Sequence, residues 1–265
     1  MPRTDGELWA SEQLELLLRA RFAPRAVARF LAASQRRAGE QRRAAPLTAR
    51  RMRRWTAAGA CAWVALALAR REPFRRQFGA FAAWWALTWL MLDWHIGMVE
   101  TEDGLARNLG PADACTLVRV WLVPAAFDEP AAWMCALAFV TDGLDGRLAR
   151  ASQPTRIGRD LEGLADWAFA AAALRGALAR GWLGRGSAVG ELLRLGAGLG
   201  YAVYVYFGSA TAPDARVVHA ARVTTPLRAA GLVAAALGRR RTADALVVGG
   251  AAWSAAAIAL ALLRR

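Results

Sequence analysis

Lysine is absent from this chain. All 35 basic residues are arginine, set against 21 acidic ones, and the formal charge is +14. Every cation is therefore a guanidinium, and the excess points to nucleic acid, anionic lipid or phosphorylated substrates as partners. Cysteine is scarce: Cys61, Cys115 and Cys135 all fall in apolar stretches, with no CxxC or Cys/His spacing. That excludes a thiolate metal site and leaves them as small buried hydrophobes. The first 30 residues lack an uninterrupted apolar core with a small-residue cleavage site, so no cleavable signal peptide is expected. Internal repeats are missing too.

What is present is hydrophobicity in blocks. The composition is 56% hydrophobic, above the 45–50% usual in soluble domains. The blocks are 55–69, 78–99, 114–127, 131–141, 161–178, 195–212, 227–237 and 243–263. They read as membrane spans, which favours lipid or phosphorylated partners over nucleic acid. The fourth is extended if it runs on to Arg150, giving a helix about 30 Å long at 1.5 Å per residue. The 227–237 block is interrupted by Arg222, Pro226 and Arg228. Residues 1–54 hold 13 arginines and 5 acidic residues, with Leu14, Leu17, Leu18 and Phe22 at helical spacing. They read as a basic amphipathic segment on an anionic leaflet. The expected class is all-α and membrane-integral: a basic segment at 1–54, an accessory membrane pair at 55–107 and a six-span domain at 108–265. Arginine-rich loops occur on both sides, so the charge bias gives only a small vote for a cytosolic N-terminus.

The segment TDGLDGRLARASQPTRIGRDLEGLAD, residues 141–166, carries the chemistry. Asp142 and Asp145 are spaced i, i+3, with Gly146 and Ala149 on the same helical face. Gly158, Glu162 and Asp166 repeat the pattern at i, i+4, i+8. Asp160 lies about 240° around the helix from Asp166 and reads as a helix-start acid favoured by the dipole. Four carboxylates beside apolar spans would repel one another unless cations sit between them. Oxygen-only ligands select Mg²⁺ or Mn²⁺, and two such ions suit displacement at a diphosphate. Between the helices, Arg150, Thr155 and Arg156 are candidate donors to phosphate. Asp93 and His95 admit a relay or an interfacial role. Trp84, Trp85, Trp89, Trp94, Trp121, Trp133 and Trp167 read as packing or interfacial belts.

These residues resemble the signature of the CDP-alcohol phosphatidyltransferase family, D-x-x-D-G-x-x-A-R, a loop, then G-x-x-x-D-x-x-x-D. Asp142-Gly-Leu-Asp145-Gly146-Arg-Leu-Ala149-Arg150 matches the first half. Gly158, Glu162 and Asp166 match the second, with Glu for the third Asp and a loop one residue shorter. Asp113-Ala-Cys-Thr116-Leu-Val-Arg119 resembles the family's first-helix element. The resemblance implies two divalent ions held by Asp142, Asp145, Glu162 and Asp166, with Asp166 as general base on an acceptor hydroxyl. It implies cytidine against Gly146 and Ala149, and CDP contacts from Asp113, Thr116, Arg150 and Thr155. CMP release, phospholipid biosynthesis, a cytosol-facing site and a homodimer follow from the same likeness; the arginine- and alanine-rich, lysine-free composition leans toward a bacterial membrane as the setting. Arg216, Arg222 and Arg228, with His219 among them, lean toward a phosphorylated acceptor. The alternative is a non-catalytic scaffold that binds CDP-lipid or metal, motivated by Glu162 and the shorter loop.

Overall fold

The computed structural model describes residues 4–101, 103–152, 155–205 and 214–263. The described residues hold eleven α-helices: α1 Asp5–Arg19, α2 Pro24–Ala44, α3 Pro46–Leu68, α4 Phe78–Trp94, α5 Pro111–Asp128, α6 Ala132–Ser152, α7 Arg156–Ala179, α8 Arg185–Val203, α9 Ala215–Arg222, α10 Thr225–Ala236 and α11 Arg240–Leu263. A 3-10 turn at Ile96–Met98 follows α4. No strand occurs among the described residues; Glu100 and Ala106 form an isolated antiparallel bridge.

The helix ends follow local chemistry. Glu7 reaches back to accept from Thr4 N–H at 3.2 Å at the start of α1, satisfying an otherwise unpaired N–H group. Pro24 and Pro46 open α2 and α3, where a missing N–H costs nothing. Gly181 and Gly238 sit at φ +69° and +74° just beyond α7 and α10. There Trp182 N–H reaches Ala177 O and Arg239 N–H reaches Ala234 O, each at 2.9 Å, the paired closure that a left-handed glycine permits.

Each apolar block falls mainly on a helix; the 78–99 block outruns α4 into the 3-10 turn, and the 195–212 block is described as far as 205. α6 runs unbroken from apolar residues through the acidic motif, as its extended reading requires. α3 is continuous across residues 54 and 55, because nothing between Pro46 and Leu68 stops it. Around the 227–237 block the chain makes two helices, 8-residue α9 and 12-residue α10, the second about 18 Å long and too short for a 30 Å core. Pro226 explains the break: it opens α10 but cannot continue α9. Among the described residues one stretch, Arg240–Leu260 of α11, is long and apolar enough to cross a membrane.

The chain forms two compact units, residues 1–121 with 143–165, and residues 122–142 with 166–265. The first is centred on fully buried Trp63. Its ring stacks on Phe81 with centroids 4.1 Å apart and meets Phe74 and Trp121 edge-on. The indole N–H groups of Trp63, Trp84, Trp85 and Trp121 donate to backbone carbonyls of Phe74, Val120, Thr56 and Gly59, so these tryptophans bury area without orphaning a donor. A Cβ on Gly59 would lie 2.5 Å from Trp85, so α3 passes α4 where only glycine fits. Arg42 of α2 pairs with buried Asp93, which gives Asp93 a structural partner in place of a relay.

In the second unit α10 crosses α11 at Gly231, where a Cβ would meet Val247 at 2.8 Å. α7 passes the end of α5 at Gly176, whose absent Cβ would sit 2.4 Å from Ala126 O. Gly184 N–H, ahead of α8, donates to Asp244 of α11 at 2.8 Å.

Candidate metal and nucleotide site

The acidic motif occupies two helices. α6 carries Asp142, Asp145, Gly146, Ala149 and Arg150; α7 carries Gly158, Glu162 and Asp166. Since α6 extends to Ser152 and α7 starts at Arg156, the link between them is only residues 153–155, of which Thr155 is described. One oxygen from each of Asp142, Glu162 and Asp166 lies within 4.8 Å of the others, and all three side chains are half-buried. Carboxylates gathered this closely disfavour one another's ionised forms unless a cation is shared. Glu162, one methylene longer than the Asp in the family pattern, reaches this group from α7.

Asp145 is held differently. It is 2% exposed. Its Oδ2 accepts from Arg119 Nη2 at 2.6 Å and from Thr116 Oγ1 at 3.1 Å, both on α5. Its Oδ1 is buried without a hydrogen-bond partner. A buried carboxylate oxygen left unpaired is costly. Three other carboxylates converge from the same pair of helices, and an oxygen-only donor set suits a hard divalent cation. Arg119 had a place in the first-helix element but no assigned role. Its i, i+3 spacing from Thr116 is the signal that the two share a face.

Asp113 and Thr155 meet at the start of α7. Asp113 Oδ2 accepts from Gly110 N–H at 2.7 Å. Thr155 Oγ1 donates to Asp113 Oδ1 at 3.4 Å and accepts from Gly158 N–H at 3.1 Å. Thr155 is therefore the N-cap of α7. Asp113 lies just ahead of the apolar 114–127 stretch, and burial pushes its carboxyl above the ordinary range, opposed by the Gly110 and Thr155 hydrogen bonds. A Cβ on Gly158 would fall 2.7 Å from Asp113 Oδ1 and 2.8 Å from Thr155 Oγ1, so this contact requires glycine.

Gly146 faces the Arg150 guanidinium, which an added Cβ would meet at 3.4 Å. Arg150 is exposed and Ala149 half-buried. Arg156, read as a second phosphate donor, is buried and turned away: its guanidinium pairs with Glu7, and its Nε donates to Thr101 O at 3.4 Å. The short link and the N-terminal acids capture it.

Among the basic residues further on, Arg228 Nη1 lies 3.0 Å from buried Glu191, which Arg194 also grips through two contacts of 2.7 Å. Arg216 is 3.5 Å from Asp214. Arg222 and His219 are exposed. Arg216 and Arg222 lie about 240° apart around α9, so they do not share a face. The Glu191 cluster escaped the sequence reading; its signal is the i, i+3 pair Glu191 and Arg194.

No curated relative and no solved structure matches the chain. The family model for CDP-alcohol phosphatidyltransferase matches residues 111–263. That stretch is more than half of the chain and contains Asp113, Thr116 and Arg119 of α5 as well as both acidic helices. The family is membrane-embedded and transfers a phosphatidyl group from a CDP-alcohol. A chain matched over that length, with its acidic residues gathered as described, belongs to the CDP-alcohol phosphatidyltransferase family.

Proposed function

We propose that this protein is a divalent-metal-dependent membrane transferase that moves a phosphatidyl group from a CDP-alcohol such as CDP-diacylglycerol to a hydroxyl acceptor, releasing CMP. The observation that carries the reading is the convergence of Asp142, Glu162 and Asp166 from two helices. Asp145, whose Oδ1 is buried without a hydrogen-bond partner, is the fourth carboxylate of the family pattern. Together the four would hold two Mg²⁺ or Mn²⁺ ions. When bound, such ions neutralise a diphosphate and polarise its phosphorus–oxygen bonds.

The chain's own residues do the rest. Arg119 and Thr116 hold Asp145 in place and orient it. Gly146 and Ala149 leave α6 without bulk where the cytidine approaches, and Arg150 meets the phosphates. Asp113 and Thr155 shape the CDP end of the site. Asp166 accepts the proton of the acceptor hydroxyl. The acceptor oxygen bonds to the β-phosphorus, the bond from that phosphorus to the bridging oxygen breaks, and its electron pair leaves with CMP. A phosphorylated acceptor is drawn to the exposed Arg222 of α9, whereas Arg228 is already held by Glu191 and Arg216 by Asp214. The setting is phospholipid synthesis at a bacterial membrane, with the site on the cytosolic face where CDP-activated substrates occur, and a homodimer as the assembly.

The test is purified protein with CDP-diacylglycerol, Mg²⁺ or Mn²⁺ and a panel of polyol, polyol-phosphate and amino-alcohol acceptors, read as CMP formed. Metal-dependent CMP release with one acceptor class supports the transferase. CDP-lipid binding without CMP from any acceptor supports the scaffold alternative.

Glu162 offers a second test. If its longer side chain compensates for the shorter loop, Glu162→Asp draws the carboxylate back by about 1 Å, a displacement that costs on the order of tenfold to a hundredfold in rate. CMP release is the measurement. A large gain on this substitution would show that glutamate impairs the native site.

A further inference from the structure

Arg156, the first residue of α7, is charged yet its side chain is only 6% exposed. Among the described residues its polar partners include several before residue 107. Its guanidinium pairs with Glu7 of α1. Nε lies 3.8 Å from Glu100 Oε1 and donates to Thr101 O at 3.4 Å. Its backbone N–H donates to Glu100 O at 2.9 Å. The same region grips the approach to α5: Thr48 donates to Arg107 O at 3.2 Å and Arg51 to Leu109 O at 2.6 Å, a few residues before Asp113.

These contacts lie outside the matched stretch, 111–263, or join it from outside. They converge on two approaches to the acidic site: the lead-in to Asp113 and the first turn of α7. Glu162 lies six residues beyond Arg156, about 9 Å along the same helix. A helix is stiff over that length, so fixing its first turn fixes where Glu162 points. A buried guanidinium is unfavourable unless it is well paired, so Arg156 does not leave this socket readily.

We propose that residues 1–107 act as a clasp on the acidic site, with Arg156 as the positioning residue through which Glu7 and Glu100 hold α7 so that Glu162 faces Asp142 and Asp166. The accessory region is then part of the working site. The kinetic arm of the test rests on the transferase reading; the metal-binding arm does not.

The full-length protein is compared with Glu7→Gln, Arg156→Gln, the double variant and Arg156→Lys. Mn²⁺ binding is measured by electron paramagnetic resonance and turnover as CMP release. Glu7→Gln is the informative change. Glu7 also accepts from Thr4 N–H at 3.2 Å to cap α1, and glutamine keeps that cap while removing the charge that Arg156 needs. Glu7→Gln and Arg156→Gln are each expected to weaken Mn²⁺ binding and lower kcat by about tenfold, with the KM for CDP-diacylglycerol within about twofold. Because both act through one contact, the double variant should be no worse than Arg156→Gln alone. Arg156→Lys, which keeps the charge, should recover most of the loss. Wild-type Mn²⁺ affinity in Glu7→Gln, or losses that multiply in the double variant, would overturn the clasp. Should Arg156→Gln fail to fold, the Glu7→Gln comparison decides by itself. If wild-type protein binds Mn²⁺ yet releases no CMP, the transferase reading falls while the Mn²⁺ comparison still judges the clasp.

Discussion

Purified Asp166→Ala protein is expected to keep its fold and its affinity for the CDP-alcohol while CMP release drops by about 10²–10⁴-fold, the usual contribution of a positioned general base. Asp166 lies on α7 one turn beyond Glu162, and its carboxylate is one of three that converge. It is half-buried, so a hydroxyl can reach it without the helices opening. Asp142→Ala should look different. Asp142 is assigned only to metal binding, so its loss should appear first as weaker Mn²⁺ affinity and be partly recovered at high Mn²⁺. Asp166→Ala should stay inactive at any Mn²⁺ concentration. The two titrations separate a residue that only binds metal from one that also serves as the base. Turnover by Asp166→Ala at near wild-type rate would remove Asp166 from the chemistry.

Arg119→Met should destabilise the protein by about 3–5 kcal/mol in the presence of EDTA, the typical cost of removing one member of a buried ion pair. The pair joins α5 to α6 at 2.6 Å, and its side chains are 2% and 3% exposed. Methionine has similar bulk, so the change leaves little void and mainly strands a charge. Thr116 still donates to Asp145 but cannot neutralise it. Denaturation in detergent with EDTA measures the loss. Adding Mn²⁺ should recover part of it, because a cation at the neighbouring carboxylates replaces the missing positive charge. Stability within about 1 kcal/mol of wild type, the level of an exposed pair, would mean that Arg119 is not what keeps Asp145 buried.

The acidic motif was readable because its geometry is local. Residues three and four apart on a helix share a face whatever else the chain does, so Asp142 with Asp145, and Glu162 with Asp166, could be placed without a structure. The continuity of α6 into its polar half was readable for the same reason: nothing in Ala132–Ser152 stops a helix. Position 226 showed its hand as well, since proline there marks the interruption that separates α9 from α10.

The destination of the charges was not readable. Arg156 stands beside the motif and reads as a phosphate donor, yet it pairs with Glu7 and faces Glu100. Arg228 reads as an acceptor ligand, yet it shares Glu191 with Arg194. Asp145 reads as an equal member of the acidic group, yet Arg119 and Thr116 of α5 take one of its oxygens. A buried arginine takes whichever carboxylate the packing brings near, because leaving it unpaired costs more than any local preference supplies. Spacing along the chain therefore determined the helices, the faces they carry and the family they belong to. Only the tertiary structure decided which ionic groups remain available for chemistry and which are consumed in holding the helices together, because that choice depends on desolvation and distance between elements remote in sequence.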